Sequence, residues 1–237
     1  MQPTDLMTRS APAQHIERLM QVWSPKGKQV LDVGCGDGSF MKELSTHGAA
    51  CFGLEVTSAA LRQARANGLP EDRLIKGDGA TLPFRDETFD AVVFVYSLHH
   101  VPSGHRTALL AEAGRILRPG GLLSVFEPRP YGAMTEVIKP IEDETAVRTQ
   151  TQNMLEKGVN GFIEVKQEEY NLCRRIESVE ALIARVVAAD PKRATRAKNP
   201  AIVAQVVSTF GDLAQRLPDG HYELTQPTLH MSFERRR

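Results

Sequence analysis

Apolar residues run along this chain in two alternating rhythms: short continuous runs closed by glycine, and longer stretches with apolar positions three or four apart. That alternation predicts strands and helices in turn, and so a mostly parallel sheet. Lys28 to Val33 reads as the first buried strand, with Val30, Leu31 and Val33 just before a glycine cluster. A helix follows, capped by Asp37 or Ser39, with Phe40, Met41 and Leu44 inward, and Gly48 ends it. Ala50 to Glu55 is the second strand, Thr57 to Asn67 a helix stopped by Gly68, and Arg73 to Lys76 a short third strand. Phe89 to Val95 is nearly all apolar, as a central strand covered on both faces requires. Ser103 to Leu117 reads as a helix ended by Arg118-Pro119-Gly120-Gly121, and Leu122 to Glu127 as the fifth strand.

The flanks follow the same rhythms more loosely. Residues 1–11 read as frayed, and Pro12 to Trp23 as a helix with Ile16, Leu19, Met20 and Trp23 on one stripe. Ala133 to Lys157 is helical but interrupted at Pro140, and its polar run Thr149–Asn153 suits a solvated helix pair. A strand within Ile163–Ile176, a helix over Val179–Ala189, a basic loop over Pro191–Lys198, a helix over Ala201–Leu217 and a closing strand over Tyr222–Phe233 complete the pattern. Arg235 to Arg237 reads as a solvated tail.

Between the first strand and its helix, Asp32 to Gly38 spells D-x-G-x-G-x-G. Glycine permits positive φ and close approach of a ligand to the backbone, and the new helix offers unpaired N–H groups. A dinucleotide fingerprint would place glycine where Ser39 stands. Glu55 ends the second strand about twenty residues on. It could accept bonds from both hydroxyls of a ribose, or serve as an acid ahead of a helix capped by Thr57 or Ser58. With the glycine turn beside it, the ribose reading is favoured, though it does not separate one adenosine cofactor from another.

Composition narrows the partners. The 237 residues suffice for one α/β domain, and 29 basic against 29 acidic residues leave no net charge, which argues against a nucleic-acid partner. Three separated cysteines (Cys35, Cys51, Cys173) suggest neither a disulfide framework nor a metal site. With no apolar run of membrane-spanning length and no apolar leader, a soluble cytoplasmic protein is expected.

Gly77-Asp78-Gly79-Ala80-Thr81-Leu82-Pro83-Phe84 resembles the G-D-A-x-x-L-P-F segment of the class I S-adenosylmethionine (SAM) dependent methyltransferases. The glycine turn resembles their motif I, and Leu117–Gly121 their L-x-P-G-G turn. Glu55 and the apolar fourth strand fall in matching order, so residues 28–128 resemble the broad group that includes quinone-biosynthesis enzymes. The resemblance implies a Rossmann-like α/β fold with a mostly parallel seven-stranded sheet, helices on both faces and a helical lid after the fifth strand. It implies one domain over residues 1–237, with a core at 12–128, a lid or substrate insertion at 129–162 and a C-terminal completion at 163–237. In it the first helix either packs on the sheet or also closes the cofactor pocket.

The same resemblance implies SAM as cofactor, S-adenosylhomocysteine as product and no metal. Asp32, Gly34, Cys35, Gly36, Gly38, Glu55, Val56, Asp78, Gly79, Ala80, Val95 and Tyr96 become its cofactor-binding residues. Asp78 would meet the adenine amino group, or make only an Asx-turn. Tyr96, His99, His100, Glu127, Arg129 and Tyr131 would line the acceptor pocket. His100 or His99 is the candidate general base, because neutral imidazole titrates near working pH; either could instead pack at the strand end. The segment after the fourth strand lacks the Asn/Asp-Pro-Pro-Tyr and Pro-Cys patterns of nucleic-acid methylation. The expected reaction is direct methyl transfer to a small organic acceptor. The alternatives are an RNA- or protein-directed enzyme using Lys192, Arg193, Arg196 and Lys198 as its platform, or a SAM-binding regulator without turnover.

Overall fold

The computed structural model describes residues 10–79 and 81–237, so most of the N-terminal segment read as frayed, residues 1–9, lies outside it, as does Ala80. Helices are α1 (Ala11–Leu19), α2 (Ser39–Thr46), α3 (Ser58–Ala66), α4 (Ser103–Ile116), α5 (Ala133–Ile138), α6 (Thr145–Leu155), α7 (Val179–Ala189), α8 (Ala194–Ala197) and α9 (Pro200–Leu213). Strands are β1 (Gln29–Val33), β2 (Ala50–Glu55), β3 (Leu74–Lys76), β4 (Phe89–Val95), β5 (Leu117–Pro128), β6 (Phe162–Ile176), β7 (Gln215–Arg216) and β8 (Tyr222–Arg235). They form one sheet in the order β3-β2-β1-β4-β5-β8-β6, with two-residue β7 added antiparallel to β8. The sheet is therefore eight-stranded rather than seven, because β7 is too short to show in a hydrophobic pattern.

The chain divides into two compact units. The larger holds Pro12–Glu127, Gln150–Glu169 and Leu229–Arg237. Its strands β3, β2, β1, β4 and β5 pair in parallel. Strand order reverses between β1 and β4, the switch point beyond which open α/β sheets bind ligands. Alternation of side chains sorts the two faces. Leu31, Val33, Val92, Phe94, Leu123, Val125, Leu229 and Met231 share one core with Leu109, Leu110, Ala113 and Ile116 of α4. Ser124, Phe126 and His230 point the other way, where Phe126 meets His15 of α1.

Several expectations change here. α1 ends at Leu19, not Trp23, and Met20 is exposed. Arg118–Gly121 does not separate a helix from a strand: it lies inside β5 as a bulge, where Phe89 pairs with Leu117 and Ala91 already with Leu122. Gly121 is required there, since a Cβ would come within 2.8 Å of the Arg118 carbonyl. Thr151 and Gln152, from the polar run, are buried, which removes the solvated-helix reading for them. Arg235 is no solvated tail residue; its guanidinium donates to the Leu117 carbonyl and pairs with Glu87.

The smaller unit holds Pro128–Thr149 and Tyr170–Thr228, with Ser10 and Ala11. Its core joins Met134, Val137 and Ile141 to Leu182, Val206, Phe210 and Leu224. The helix read over Ala201–Leu217 ends at Leu213, and Gln215–Arg216 form β7. The expected basic loop is instead a 3-10 turn over Pro191–Arg193 followed by α8. Arg193 pairs with Glu142 and Glu144, and Arg196 donates to the Pro140 carbonyl at 2.9 Å. Both arginines of that platform bond within the unit itself, while Lys192, Arg196 and Lys198 are exposed. No helix among the described residues is long and apolar enough to cross a membrane.

Candidate functional site

The turn after β1 is tight for identifiable reasons. Gly34, Gly36 and Gly38 all have positive φ. A Cβ on Gly34 would lie 2.5 Å from the Ser97 Cβ, and one on Gly38 would overlap Leu69. Ser97 is a residue the sequence pattern did not single out. Its hydroxyl donates to the Val33 carbonyl at 2.5 Å, which locks the exit of β4 against the exit of β1.

Most backbone donors of this turn are already used. The N–H groups of Gly34 and Cys35 donate to the Leu54 carbonyl (2.7 and 3.1 Å), that of Gly38 to Cys35, and that of Gly36 to Glu55 Oε2 at 3.1 Å. The Ser39 N–H donates to Asp37 Oδ1 at 3.0 Å, although Gly38, not Asp37 or Ser39, occupies the cap position of α2. The turn thus does not present unpaired N–H groups at these positions, contrary to expectation. What it presents is carboxyl groups. Asp32 is 2% exposed, and its Oδ1 has no hydrogen-bond partner. Burial, with the nearby carboxylates of Glu55 and Asp37, pushes its pKa up to about 8. A buried polar atom without a partner costs roughly 1–3 kcal/mol and suits a site completed by a ligand.

The remaining predicted cofactor residues distribute unevenly. Glu55 is buried at the end of β2, and its Oε1 also accepts from the Thr57 N–H (2.8 Å) and hydroxyl (3.0 Å). Thr57, rather than Ser58, caps α3. Val56 beside it is 58% exposed, an apolar surface next to that carboxylate. Cys35 turns its thiol into the space left by Gly53, 2.5 Å from where a Cβ would sit, so only its backbone faces the turn. Asp78 is exposed, and Gly79 is buried with a positive φ. Val95 is half-buried. Tyr96 follows with φ 55°, rare for a residue other than glycine, while its N–H still donates to Phe126 at 2.8 Å.

The two histidines after β4 differ. His99 is buried, and its Nδ1 lies 2.5 Å from Glu127 Oε2. Glu127 Oε1 accepts the N–H groups of Leu98 (3.0 Å) and His99 (3.3 Å). Glu127 is thus wholly buried and holds the β4 exit, rather than lining an open pocket. Arg106 adds a bond to the His99 carbonyl at 2.9 Å. His100 is exposed, with its ring 4.0 Å from that of His99. Arg129 and Tyr131 belong to the smaller unit, where Gln226 holds both of their carbonyls (3.0 and 3.2 Å).

Residues 31–125 match the family described as a methyltransferase domain, over the segment that carries this glycine turn, Glu55, Asp78 and the β4 exit. Residues 31–125 belong to the class I SAM-dependent methyltransferases. Relatives of this methyltransferase domain include phthiotriol/phenolphthiotriol dimycocerosates methyltransferase 1 of Mycobacterium ulcerans, 39% identical over 113 residues, which are 46% of this chain and 41% of that protein. Fatty-acid O-methyltransferase of Mycolicibacterium smegmatis is 31% identical over 167 residues, 69% of this chain and 57% of that one. The chain therefore spans about two fifths to three fifths of the length of these relatives. An S-adenosylmethionine dependent methyltransferase from Mesorhizobium loti shares the fold, with TM-score 0.56 and 18% identity over 97% of this chain and 100% of that one. SAM is the family's cofactor, and the chain's residues fit it. The carboxyl groups of Asp32, Glu55 and Asp37, around a turn most of whose backbone donors are spent, suit a ligand carrying a sulfonium and an ammonium. They do not suit a dinucleotide pyrophosphate.

Proposed function

We propose that this chain transfers a methyl group from SAM to a small organic acceptor by in-line displacement, leaving S-adenosylhomocysteine. The observation that carries the reading is Asp32: a buried carboxyl with an unpartnered oxygen near the end of β1, ahead of a glycine turn most of whose backbone donors are already used. When bound, SAM supplies a methyl group activated by the sulfonium. The protein's share is placement. Asp32 meets the positive charge, Glu55 the ribose, Val56 one face of the adenine and Asp78 its amino group, with Gly34, Gly36, Gly38, Gly79 and Val95 as backbone walls. Holding nucleophile and methyl in line is worth about 7–11 kcal/mol of barrier. His100, the exposed imidazole, takes the acceptor proton. His99 orients it by ring contact, with Glu127 fixing His99 in turn.

Both relatives above carry lipid substrates in their names, which supports a lipid-like acceptor such as a long-chain acid or a hydroxylated lipid. The pairing of Arg193 with Glu142 and Glu144 weakens the basic platform on which an RNA-directed reading rests, although Lys192, Arg196 and Lys198 remain exposed.

Thermal unfolding with SAM, S-adenosylhomocysteine and NAD is the deciding measurement. Ligand at a hundred times its dissociation constant stabilises by about 2.7 kcal/mol, which raises the midpoint by roughly 5–10 °C in a chain of this size. The expected result is a shift with both sulfur ligands and none with NAD. No shift with either, supported by calorimetry, removes the reading. Binding without transfer to any of a panel of fatty acids, phenols and amines turns it into a SAM-binding regulator.

A further inference from the structure

Helix α1 buries two polar side chains, Gln14 and His15, among its apolar contacts. Fully buried glutamine and histidine are uncommon and call for a reason. His15, 2% exposed, sets its ring edge-on to Tyr96 at 5.3 Å and tilted to Phe126 at 5.0 Å. Phe126 in turn stacks on His230, with centroids 4.2 Å apart and planes 9° from parallel. His230 is held by Ser124 (3.0 Å), Ser232 (2.9 Å) and Glu168 (3.0 Å). A column of four rings therefore runs from the hydrogen-bonded His230 on β8, through Phe126 and His15, to Tyr96 at the end of β4. The helix itself is tied down by Arg18 to Glu168 (4.0 Å) and by Gln21, which accepts from Lys166 (2.5 Å).

Tyr96 is where this column ends, and it is also where the backbone is strained. Such a left-handed residue persists only when its surroundings over-determine it. Its neighbour Ser97 touches the position where a Gly34 side chain would stand, so the Tyr96–Ser97 step forms the rim of the glycine turn. We propose that His15 is a positioning residue for the cofactor site. Its edge contact fixes the Tyr96 ring at that rim, and α1 thereby tunes cofactor affinity without His15 touching the cofactor. The inference rests on the methyltransferase reading.

Calorimetric titration of the full chain with S-adenosylhomocysteine tests it, with unliganded thermal midpoints alongside. An edge-to-face ring contact corresponds to about 2- to 12-fold in an equilibrium constant. His15→Ala is expected to bind about tenfold more weakly and His15→Phe within about twofold of the unaltered chain. His15→Ala added to Tyr96→Ala should weaken binding no further than Tyr96→Ala alone. His15→Leu, which keeps a buried apolar volume, serves if His15→Ala melts without cooperativity, and should also bind several-fold more weakly. A lowered midpoint with an unchanged dissociation constant in His15→Ala or His15→Leu makes the column mere packing and overturns the inference. Full additivity with Tyr96→Ala overturns it too. Failure of the unaltered chain to bind overturns the methyltransferase reading, and this inference with it.

Discussion

The turns that leave β1 and β4 sit side by side in one sheet and solve opposite problems. After β1 most backbone donors are consumed and a carboxyl, Asp32, is left with an unpartnered oxygen. After β4 a carboxylate, Glu127, is consumed by two backbone N–H groups and the His99 ring. Both acids are buried, yet only one has bonding capacity left over. Burial of charge alone therefore does not mark a ligand site; unmet hydrogen-bonding capacity does.

Substitutions at the two turns should break this contrast in opposite ways. The largest effect is expected from Glu127→Ala, which strands three buried donors. It should cost about 3–5 kcal/mol of stability, read from denaturant unfolding, with Glu127→Gln milder because it still accepts a backbone N–H. His100→Ala should lower turnover about 10²- to 10⁴-fold and leave S-adenosylhomocysteine binding within error. A full rate with a true acceptor removes His100 as base.

Asp32→Asn should do the reverse and weaken SAM about 10- to 100-fold at pH 8 while the protein stays folded, since a lost charged bond is worth roughly 1.5–3 kcal/mol. Below pH 8 the unliganded Asp32 holds a proton that a cationic ligand must displace. SAM affinity should then fall by up to about tenfold per pH unit below 8 and level off above it. Asp32→Asn should flatten that slope; an unaltered slope assigns the proton elsewhere. Without ligand the sign is reversed. A carboxyl with a raised pKa favours the folded state fully below about pH 4, and this support fades as pH rises through 8.

The smallest effect lies away from both turns. Burial pushes His230 down to about 4, so the folded state resists its protonation. Its neutral form is fully compatible with folding above pH 6.5, and stability should decline as pH falls from 6.5 toward 4. Glu168, which pulls the other way, moderates the decline, while the cations Lys166 and Arg18 act in the same direction as burial. His230→Gln should show a shallower acid limb in a series of thermal melts.

Much of this was legible locally. Ala50–Glu55, Phe89–Val95 and Val179–Ala189 form the elements that their apolar rhythm predicts, residue for residue. The glycine turn and Glu55 also lie within about twenty residues of one another. The β5 bulge was not legible, because Pro-Gly-Gly signals a break equally well inside a strand as before one. Nor was the fate of Arg193, whose partner Glu144 is 49 positions away. Ser97 and His230 were missed for the same reason: their roles come from contacts 64 and 106 residues distant. Asp32 was found by its motif, but its unpartnered oxygen emerges only when the neighbouring donors are counted.

Gly53 has a consequence for experiments at the bench. Because β2 lacks a side chain there, the Cys35 sulfur and the Met41 sulfur fill the space beneath the glycine turn. Burial, with Asp32 and Glu55 nearby, drives the Cys35 thiol far above its ordinary range, and burial pushes Cys51 up to about 11. Neither forms the thiolate that alkylating reagents attack. Cys35 should take a maleimide only when the turn over it opens. Its labelling rate becomes a stopwatch for that opening, one that a bound ligand slows.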